Sequence, residues 1–299
     1  MATLRDLRNR IKGVKSTQQI TKAMKMVAAA KLRRATEAIV SARPYTQKLS
    51  GLVSNLFTED DKATNPFVTV RDVKKELIVV ITADRGLCGA FNTNIIKETT
   101  HYVDSLKKQG IDALLFCVGK KGYDHFRKRN YEVVGNVVGL FNSLNFSYVG
   151  QILPYAIQGY LDGKFDKVTF IYNEFRSVVS QKVINTPFLP VPLEVEEGSS
   201  AELFIFEVSQ KEILNALLPQ YLETRLWKSL LDSNAAEHGA RMTAMENATT
   251  NASELISSLK LTYNKARQAA ITKELLEVVS GANALRGLFT GCLKILAVN

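Results

Sequence analysis

The two glycines of Gly86-Leu87-Cys88-Gly89 are the feature of the sequence that comes nearest to phosphate-binding chemistry. They follow the apolar run 76–82 and precede a helical pattern, where dinucleotide-binding folds place a glycine-rich turn. Those folds need three glycines spaced GxGxxG, for the turn, for close approach of the pyrophosphate and for helix packing. Because only two are present, at another spacing, we interpret the segment as a tight strand-to-helix turn. Asp84, beside Arg85, is then a cap or an ion-pair partner and not a catalytic carboxylate.

A second glycine segment, from Gly159 to Gly163-Lys164, imitates a P-loop. Its spacer is one residue too short, and Phe165 stands where a P-loop has the Ser or Thr that binds magnesium. The histidines and cysteines also lie apart, with no CxxC pair and no metal-ligand spacing: His101, His125, His238, Cys88, Cys117 and Cys292. The sequence therefore predicts a non-catalytic protein with no cofactor and no metal site.

The net charge of +10 is concentrated at the start of the chain. Residues 1–48 contain twelve Lys or Arg against two acids, and the rest of the chain is balanced. Arg8, Lys12 and Lys15 belong to a stripe without the acidic i,i+4 partners that compensate such charge, which predicts a surface that binds acidic groups of a partner. Nucleic acid is the competing partner, but residues 1–44 contain no aromatic side chain that could stack on bases.

Hydrophobic periodicity defines the element that carries this stripe. Steps of three and four from Leu4 to Ala42 meet apolar residues at nine of twelve positions, which predicts a helix over residues 3–56. Polar residues interrupt the seam between positions 18 and 25, where a neighbouring row of apolar residues predicts a stutter: Ile20, Met24 and Val27. We expect Pro44 to kink this helix or to mark its last third.

The C-terminal part of the chain repeats the helical pattern. Steps of three and four from Met242 to Ala270 are apolar at eight of nine positions, and the seam then shifts to a row through Ile271, Leu275 and Val278. This predicts a helix over residues 220–285, which Pro219 separates from, or kinks against, a short preceding helix. A sheet domain inserted between the two long helices makes them antiparallel partners in a coiled coil.

Between the helices the period changes. Apolar, β-branched runs at 76–82, 113–118 and 167–175 alternate with helical patterns at 92–108, 121–129 and 147–161. Weaker strand patterns lie at 131–138, 178–186 and 203–207. The alternation predicts a Rossmann-like parallel α/β domain.

These patterns predict three segments: an N-terminal coiled-coil helix (1–57), a central α/β domain (58–208) and a C-terminal coiled-coil helix (209–299). The sequence contains no stretch of 18 apolar residues, so we expect no transmembrane helix. The basic N-terminus is not followed by the apolar region of a secretory signal, and its helical pattern continues for some fifty residues, far past the cleavage site of a transit peptide.

Four segments resemble the F-type ATP synthase gamma subunit family: residues 20–33 (ITKAMKMVAAAKLR), 82–92 (TADRGLCGAFN), 240–251 (ARMTAMENATTN) and 263–277 (YNKARQAAITKELLE). The resemblance covers essentially the whole chain in order. It implies a non-catalytic rotor shaft whose coiled coil inserts into a ring of alternating alpha and beta subunits. It further implies that the α/β domain meets the epsilon subunit and the membrane ring of c subunits.

The resemblance also suggests the residues that contact partners. Met24 and Lys25 match positions where the N-terminal helix passes an acidic lever loop of the beta subunit, and Arg241 matches the arginine that faces this region from the other helix. Gln268 and Thr272 match positions that contact a beta-subunit loop higher on the shaft. We expect a peripheral location on the cytoplasmic side of a bacterial inner membrane. A helical-armed nucleotide-binding or nucleic-acid-binding protein remains the alternative.

Overall fold

The middle part of the chain folds as a five-stranded sheet in the computed structural model, which describes residues 3–57, 65–178, 180–192 and 210–296. Its strands are β1 (Lys75–Ile81), β2 (Asp112–Val118), β3 (Val133–Val137), β4 (Lys167–Phe175) and β5 (Gln181–Leu189). The helices between the strands are α2 (Phe91–Lys108), α3 (Lys120–Arg127) and α4 (Val149–Leu161). The long helices are α1 (Leu4–Leu56) and α5 (Gln210–Leu296).

The strand order is β3-β2-β1-β4-β5, and the first four strands are parallel. This confirms the predicted Rossmann-like α/β sheet with two long flanking helices. Strand β5 pairs antiparallel with β4 at the edge of the sheet, because the connection 176–180 is too short for a crossover. The strand predicted at 203–207 lies outside the described residues.

Helices cover both faces of the sheet, which explains the continuous apolar run of β1. Leu77, Val79 and Ile81 face a core shared with α4, the end of α1 and the start of α5. Ile78 and Val80, with the opposite orientation along the strand, face α2, α3 and the middle of α5.

A buried polar cluster joins β1 to β4 at Glu76, which is fully buried. Glu76 lies opposite Lys167 in the strand register and accepts hydrogen bonds from Tyr102 (2.8 Å) and from Thr169. The Lys167 ammonium lies 3.3 Å from the same carboxylate. Burial alone lowers the pKa of Lys167, but the hydrogen bond to Tyr102 and the charge of Glu76 raise it overall. Because a slipped register would leave this carboxylate unpaired, the cluster favours a single pairing of the two strands.

The chain's contacts divide it into two compact units, Met1–Ala23 with Glu246–Asn299, and Met24–Met245. In the larger unit, Leu32 and Ala35 of α1 pack with Ala235 of α5, while the end of α1 joins the core that contains the start of α5. The two helices are therefore antiparallel there, as predicted. The three-segment division by chain order stays a prediction.

In the smaller unit, the polar positions of the α1 seam stay on the inside of the helix pair. Thr21 is 8% exposed, and its hydroxyl lies 2.8 Å from that of Thr249 in α5 and donates to the Gln18 carbonyl. Of the predicted replacement row, Ile20 is 56% exposed, and in the larger unit Val27 is 58% exposed while Met24 is half-buried. The predicted stutter in α1 is therefore wrong: hydrogen bonding satisfies Thr21 and makes its burial tolerable, so the seam needs no shift.

The predicted seam of α5 is confirmed as far as Ala270, with Ala252 and Leu259 buried. The seam was predicted to shift after Ala270 to a row through Ile271, Leu275 and Val278. This row does not pack within the described chain, since these side chains are 50%, 60% and 72% exposed. The reason is the antiparallel register. Because Thr21 lies opposite Thr249, Leu4 at the start of α1 lies about opposite residue 266, and α5 continues beyond its partner.

Helix α1 continues through Pro44 to Leu56, and α5 continues through Pro219, so the short helix predicted before Pro219 is part of α5. Helix α5 also extends past the predicted end at residue 285, as far as Leu296. No helix in the described part of the chain combines the length and the hydropathy that crossing a bilayer requires.

Candidate partner-binding surface

The turn between β1 and α2 presents an exposed apolar side chain. Leu87 is 67% exposed and has a φ of 64°, and Gly89 has a φ of 58°. A left-handed leucine is unfavourable unless its surroundings hold it there. Asn92 stabilises this turn: its side chain accepts a hydrogen bond from the Ala83 N–H (2.9 Å) and donates one to the Arg85 carbonyl (3.4 Å).

Arg241 of α5 also stabilises this turn by hydrogen bonding. Its Nη1 donates to the Gly86 carbonyl at 2.6 Å, and its Nη2 donates to Glu237 one turn earlier at 2.5 Å. The Arg241 side chain is 12% exposed and that of Glu237 is 6% exposed. Arg241 thus ties the exposed turn to the long helix, and its guanidinium is largely occupied within the chain.

Glu237 lies in an environment that disfavours its charge. Burial raises its pKa, and the hydrogen bond and charge of Arg241 oppose that rise. Its second oxygen, Oε2, is buried and has no hydrogen-bond partner among the described residues. The carboxylate therefore depends on Arg241 for compensation.

Asp84 acts as a cap, as the sequence indicated. Its carboxylate accepts from the backbone N–H groups of Lys120 (3.1 Å), Gly139 (2.8 Å) and Phe141 (3.2 Å). Lys120 is the first residue of α3, so Asp84 satisfies one of the donors left open at a helix start. A carboxylate shared among three backbone donors is structural.

Met24 and Lys25 of α1 are half-buried, and the next two residues, Met26 and Val27, are 62% and 58% exposed. These two exposed apolar side chains lie directly beside the residues that the family resemblance places at a partner contact. Met24, Lys25 and Arg241 all belong to the larger unit.

The other predicted residues belong to the smaller unit. Gln268 and Thr272 of α5 are exposed, as are Arg8, Lys12 and Lys15 of α1. Beyond Ala270, α5 exposes several large apolar side chains: Ile271, Leu275, Leu276, Val278 and Val279. An apolar helix end of this kind requires a partner to cover it.

The segments that imitate nucleotide sites have structural roles. Gly159 lies within α4, where a Cβ would stand 2.4 Å from the fully buried ring of Phe165. Gly163 has a φ of 71° after the helix end, and Lys164 pairs with Asp162 at 3.3 Å. Within the described ranges, His, Cys, Asp and Glu side chains form no group of three that could hold a metal.

Sequence reasoning missed three contacts: Glu237 with Arg241, Arg241 with Gly86, and Glu76 with Lys167. The spacing of Glu237 and Arg241, one helix turn apart, indicates an ion pair. Nothing in the sequence indicates that Arg241 also binds the carbonyl of Gly86, or that Glu76 and Lys167 meet across two strands.

Comparison with known proteins is consistent with this architecture. Residues 3–285 match the family profile described as ATP synthase. The ATP synthase gamma chain of Chloroherpeton thalassium is 50% identical over 95% of this chain and 99% of its own length. That of Prosthecochloris aestuarii is 50% identical over 96% of this chain and 100% of its own length.

Two solved structures are also similar. The central stalk and c-ring structure of Tetrahymena thermophila mitochondrial ATP synthase includes a chain that is 28% identical, with a TM-score of 0.58 over 77% of this chain and 99% of that one. A chain of the Euglena gracilis mitochondrial enzyme shares the fold, with 23% identity and a TM-score of 0.65 over 94% of each chain. By profile, by identity and by fold, the chain belongs to the ATP synthase gamma chain family.

Proposed function

We propose that this chain is the central-stalk rotor of an F-type ATP synthase, which couples ion-driven rotation of the c ring to ATP synthesis or hydrolysis at the beta subunits. The chain itself is not catalytic. The observation that carries the proposal is the stretch of α5 from Ile271 to Val279, where exposed apolar side chains continue past the last residues covered by α1. A shaft that ends inside a ring of other subunits has such an end.

Specific contacts follow from the placement of the predicted residues. Exposed Gln268 and Thr272 are available to a beta-subunit loop, and half-buried Met24 and Lys25 lie beside the exposed pair Met26 and Val27. For Arg241 we propose an indirect part in contact with the acidic lever loop of the beta subunit: it holds the turn that presents Leu87. This role agrees with its two hydrogen bonds within the chain.

The basic stripe is proposed to face acidic groups of the alpha and beta subunits. The α/β domain is proposed to contact the epsilon subunit and the c ring. The chain would then be peripheral to the membrane, on the cytoplasmic side of a bacterial inner membrane.

Co-expression with alpha and beta subunits tests the central proposal. We expect a complex of three alpha, three beta and one copy of this chain, with ATPase activity, and with ATP-driven proton pumping once it is joined to the membrane sector. A stable alpha–beta ring that excludes this chain would refute the proposal.

Reversal of the stripe, Arg8→Glu with Lys12→Glu and Lys15→Glu, tests the electrostatic contact. We expect weaker assembly or weaker coupling, and the defect should depend on ionic strength because the three side chains are exposed. The control reverses Arg127, Lys128 and Arg129 in the larger unit, which are also exposed and give the same change in net charge. It is compared only in assembly with alpha and beta subunits, because the α/β domain that carries these residues is proposed to contact the epsilon subunit and the c ring. Unchanged assembly and pumping in the stripe variant would return the stripe to ordinary solvated surface.

A further inference from the structure

A cavity of about 400 Å³ lies in the larger unit between α1, α5 and the segment after β3. Its volume is within the range of small-molecule sites. We call it the Trp227 cavity, and the lining residues that matter here are Lys31, Arg34, Asn142, Trp227, Asn234 and His238.

Two buried polar atoms of this lining have no hydrogen-bond partner among the described residues, Oδ1 of Asn234 and Nδ1 of His238. The His238 side chain belongs to a residue that is only 5% exposed. Buried polar groups without partners are uncommon, because each costs the free energy of its lost hydration. A ligand that offers hydrogen bonds at this depth would remove that cost.

The charged side chains that line the cavity are both cations, Lys31 and Arg34. Lys31 and Arg34 lie on one wall, and burial, followed by the charges of Lys31 and Arg241, lowers the pKa of His238 to about 4. The nearest acid on the same helix, Glu237, is itself bound to Arg241. An anion is therefore the ligand that these two cations favour.

The opposite wall is apolar. Trp227 and Leu231 of α5 line the cavity together with Phe141 and Leu144, and the Trp227 ring lies edge-on to Phe146 with 5.5 Å between the ring centroids. An indole ring fixed in this way offers a flat surface for an aromatic or aliphatic group.

We infer that the Trp227 cavity binds a small amphipathic oxyanion, a phosphate or carboxylate group joined to an apolar ring. Lys31 and Arg34 bind the oxyanion, and the apolar body packs on Trp227. His238 donates its Nδ1–H to an oxygen of the ligand, and Oδ1 of Asn234 accepts from a hydroxyl of the ligand, such as that of a singly protonated phosphate ester. This inference goes beyond the rotor function and is independent of it, since the site lies within one chain.

The chain provides its own reporter, because Trp227 is the only tryptophan. We expect phenyl phosphate, added to the full-length protein, to change the Trp227 fluorescence saturably with a Kd of about 1 mM or tighter. Phenol, which lacks the anion, and inorganic phosphate, which lacks the ring, should bind at least about tenfold more weakly. A linear response or no response to phenyl phosphate would overturn the inference.

Substitutions on α1 locate the site. Lys31→Gln and Arg34→Gln should each weaken binding about tenfold, as expected for loss of a charge-assisted hydrogen bond. Both side chains are exposed at the rim, so the fold should tolerate their loss. Arg33→Gln is the matched control, because Arg33 is 84% exposed, pairs with Glu37 and does not line the cavity. Equal weakening in all three variants would indicate a general charge effect and refute the site.

The histidines give an independent measurement, since the chain has only three. On saturation with phenyl phosphate, the ring resonances of His238 should shift in an NMR spectrum, and those of His101 and His125 should not. A fluorescence change without a His238 shift would place the ligand elsewhere and overturn the inference.

Discussion

Replacing Arg241 by glutamine tests whether this residue acts within the chain. The variant loses both hydrogen bonds of the guanidinium, to Gly86 and to Glu237, and leaves a carboxylate that is 6% exposed without its cation. Removal of one partner of a buried ion pair typically costs about 3–5 kcal/mol. Because burial already raises the pKa of Glu237, protonation can relieve part of the penalty, and we expect a loss near the lower limit, about 3 kcal/mol.

A second substitution, at Glu237, separates the loss of charge compensation from the loss of the hydrogen bond between Arg241 and Gly86. In Glu237→Gln with Arg241→Gln, no buried charge remains uncompensated, so most of the lost stability should return. We expect the double variant to lie within about 1–1.5 kcal/mol of the parent, the cost of the hydrogen bond to Gly86. Such non-additivity is the measure of direct coupling between the two residues.

Urea unfolding monitored by Trp227 fluorescence is the appropriate assay, because Trp227 and Arg241 lie in the same compact unit. A lower midpoint with an unchanged slope would report stability alone. Lys260→Gln, at an exposed position of the same helix, is the control and should change nothing. If the free energy of unfolding of Arg241→Gln is within about 0.5 kcal/mol of that of the parent, the hydrogen bonds of Arg241 do not stabilise the fold and the reasoning is refuted.

The same variants distinguish positioning from direct contact in the assembled complex. If Arg241 positions the turn that presents Leu87, proton pumping lost in Arg241→Gln should partly return in the double variant. If Arg241 instead binds an acidic group of the beta subunit, the added Glu237→Gln should restore stability but not pumping.

Three further predictions concern stability. Thr21→Val should lower the free energy of unfolding by about 1 kcal/mol, measured by thermal unfolding followed by circular dichroism. The double variant Thr21→Val with Thr249→Val should be nearly as stable as the parent, because it leaves no unpaired hydroxyl. Equal losses in the single and double variants would argue against the buried hydrogen bond. Gly119→Ala should cost about 3 kcal/mol or more in urea unfolding, because its φ is 92° and a Cβ would meet a backbone oxygen at 1.9 Å; Gly150→Ala, with open space around it, is the control. The third prediction, for Asp232→Asn, concerns the pH dependence of stability. Burial raises the pKa of Asp232 to about 6, so protonation of this carboxyl stabilises the folded state. This stabilisation is full below pH ~4 and is lost as pH rises through ~6. The asparagine variant should gain up to about 3 kcal/mol over the parent at pH 8 and little at pH 4, and an equal effect at both would exclude this titration as the cause.

The sequence by itself determined the elements and their class. Apolar residues repeat with period 3.6 or 2 because each helix or strand buries one face or both, and this requirement is local to each element. It predicted β1, β2, β4 and α1 to within about one residue at each end, whereas α5 extends about ten residues past its predicted bounds at both ends. The motifs around the β1–α2 turn and along α5 identified the family, because they depend only on residue order.

Only the tertiary structure decided which polar residues are buried and what compensates them. Thr21 stays in the seam because Thr249, far away in the sequence, supplies its partner, and no periodicity contains that information. The same holds for Arg241, whose second acceptor is the carbonyl of Gly86 on a different element. Hydrogen bonds and charge compensation depend on distance in space, so they become known only when the fold has brought their members together.

The Trp227 cavity and the exposed end of α5 have the same origin. Each depends on where one element ends relative to another: α1 begins opposite residue 266 of α5, and the segment after β3 reaches the gap between the two long helices. Hydrophobic periodicity predicts that a face must be buried. The partner that buries it, in this chain or in another subunit, is decided by the geometry of the folded chain.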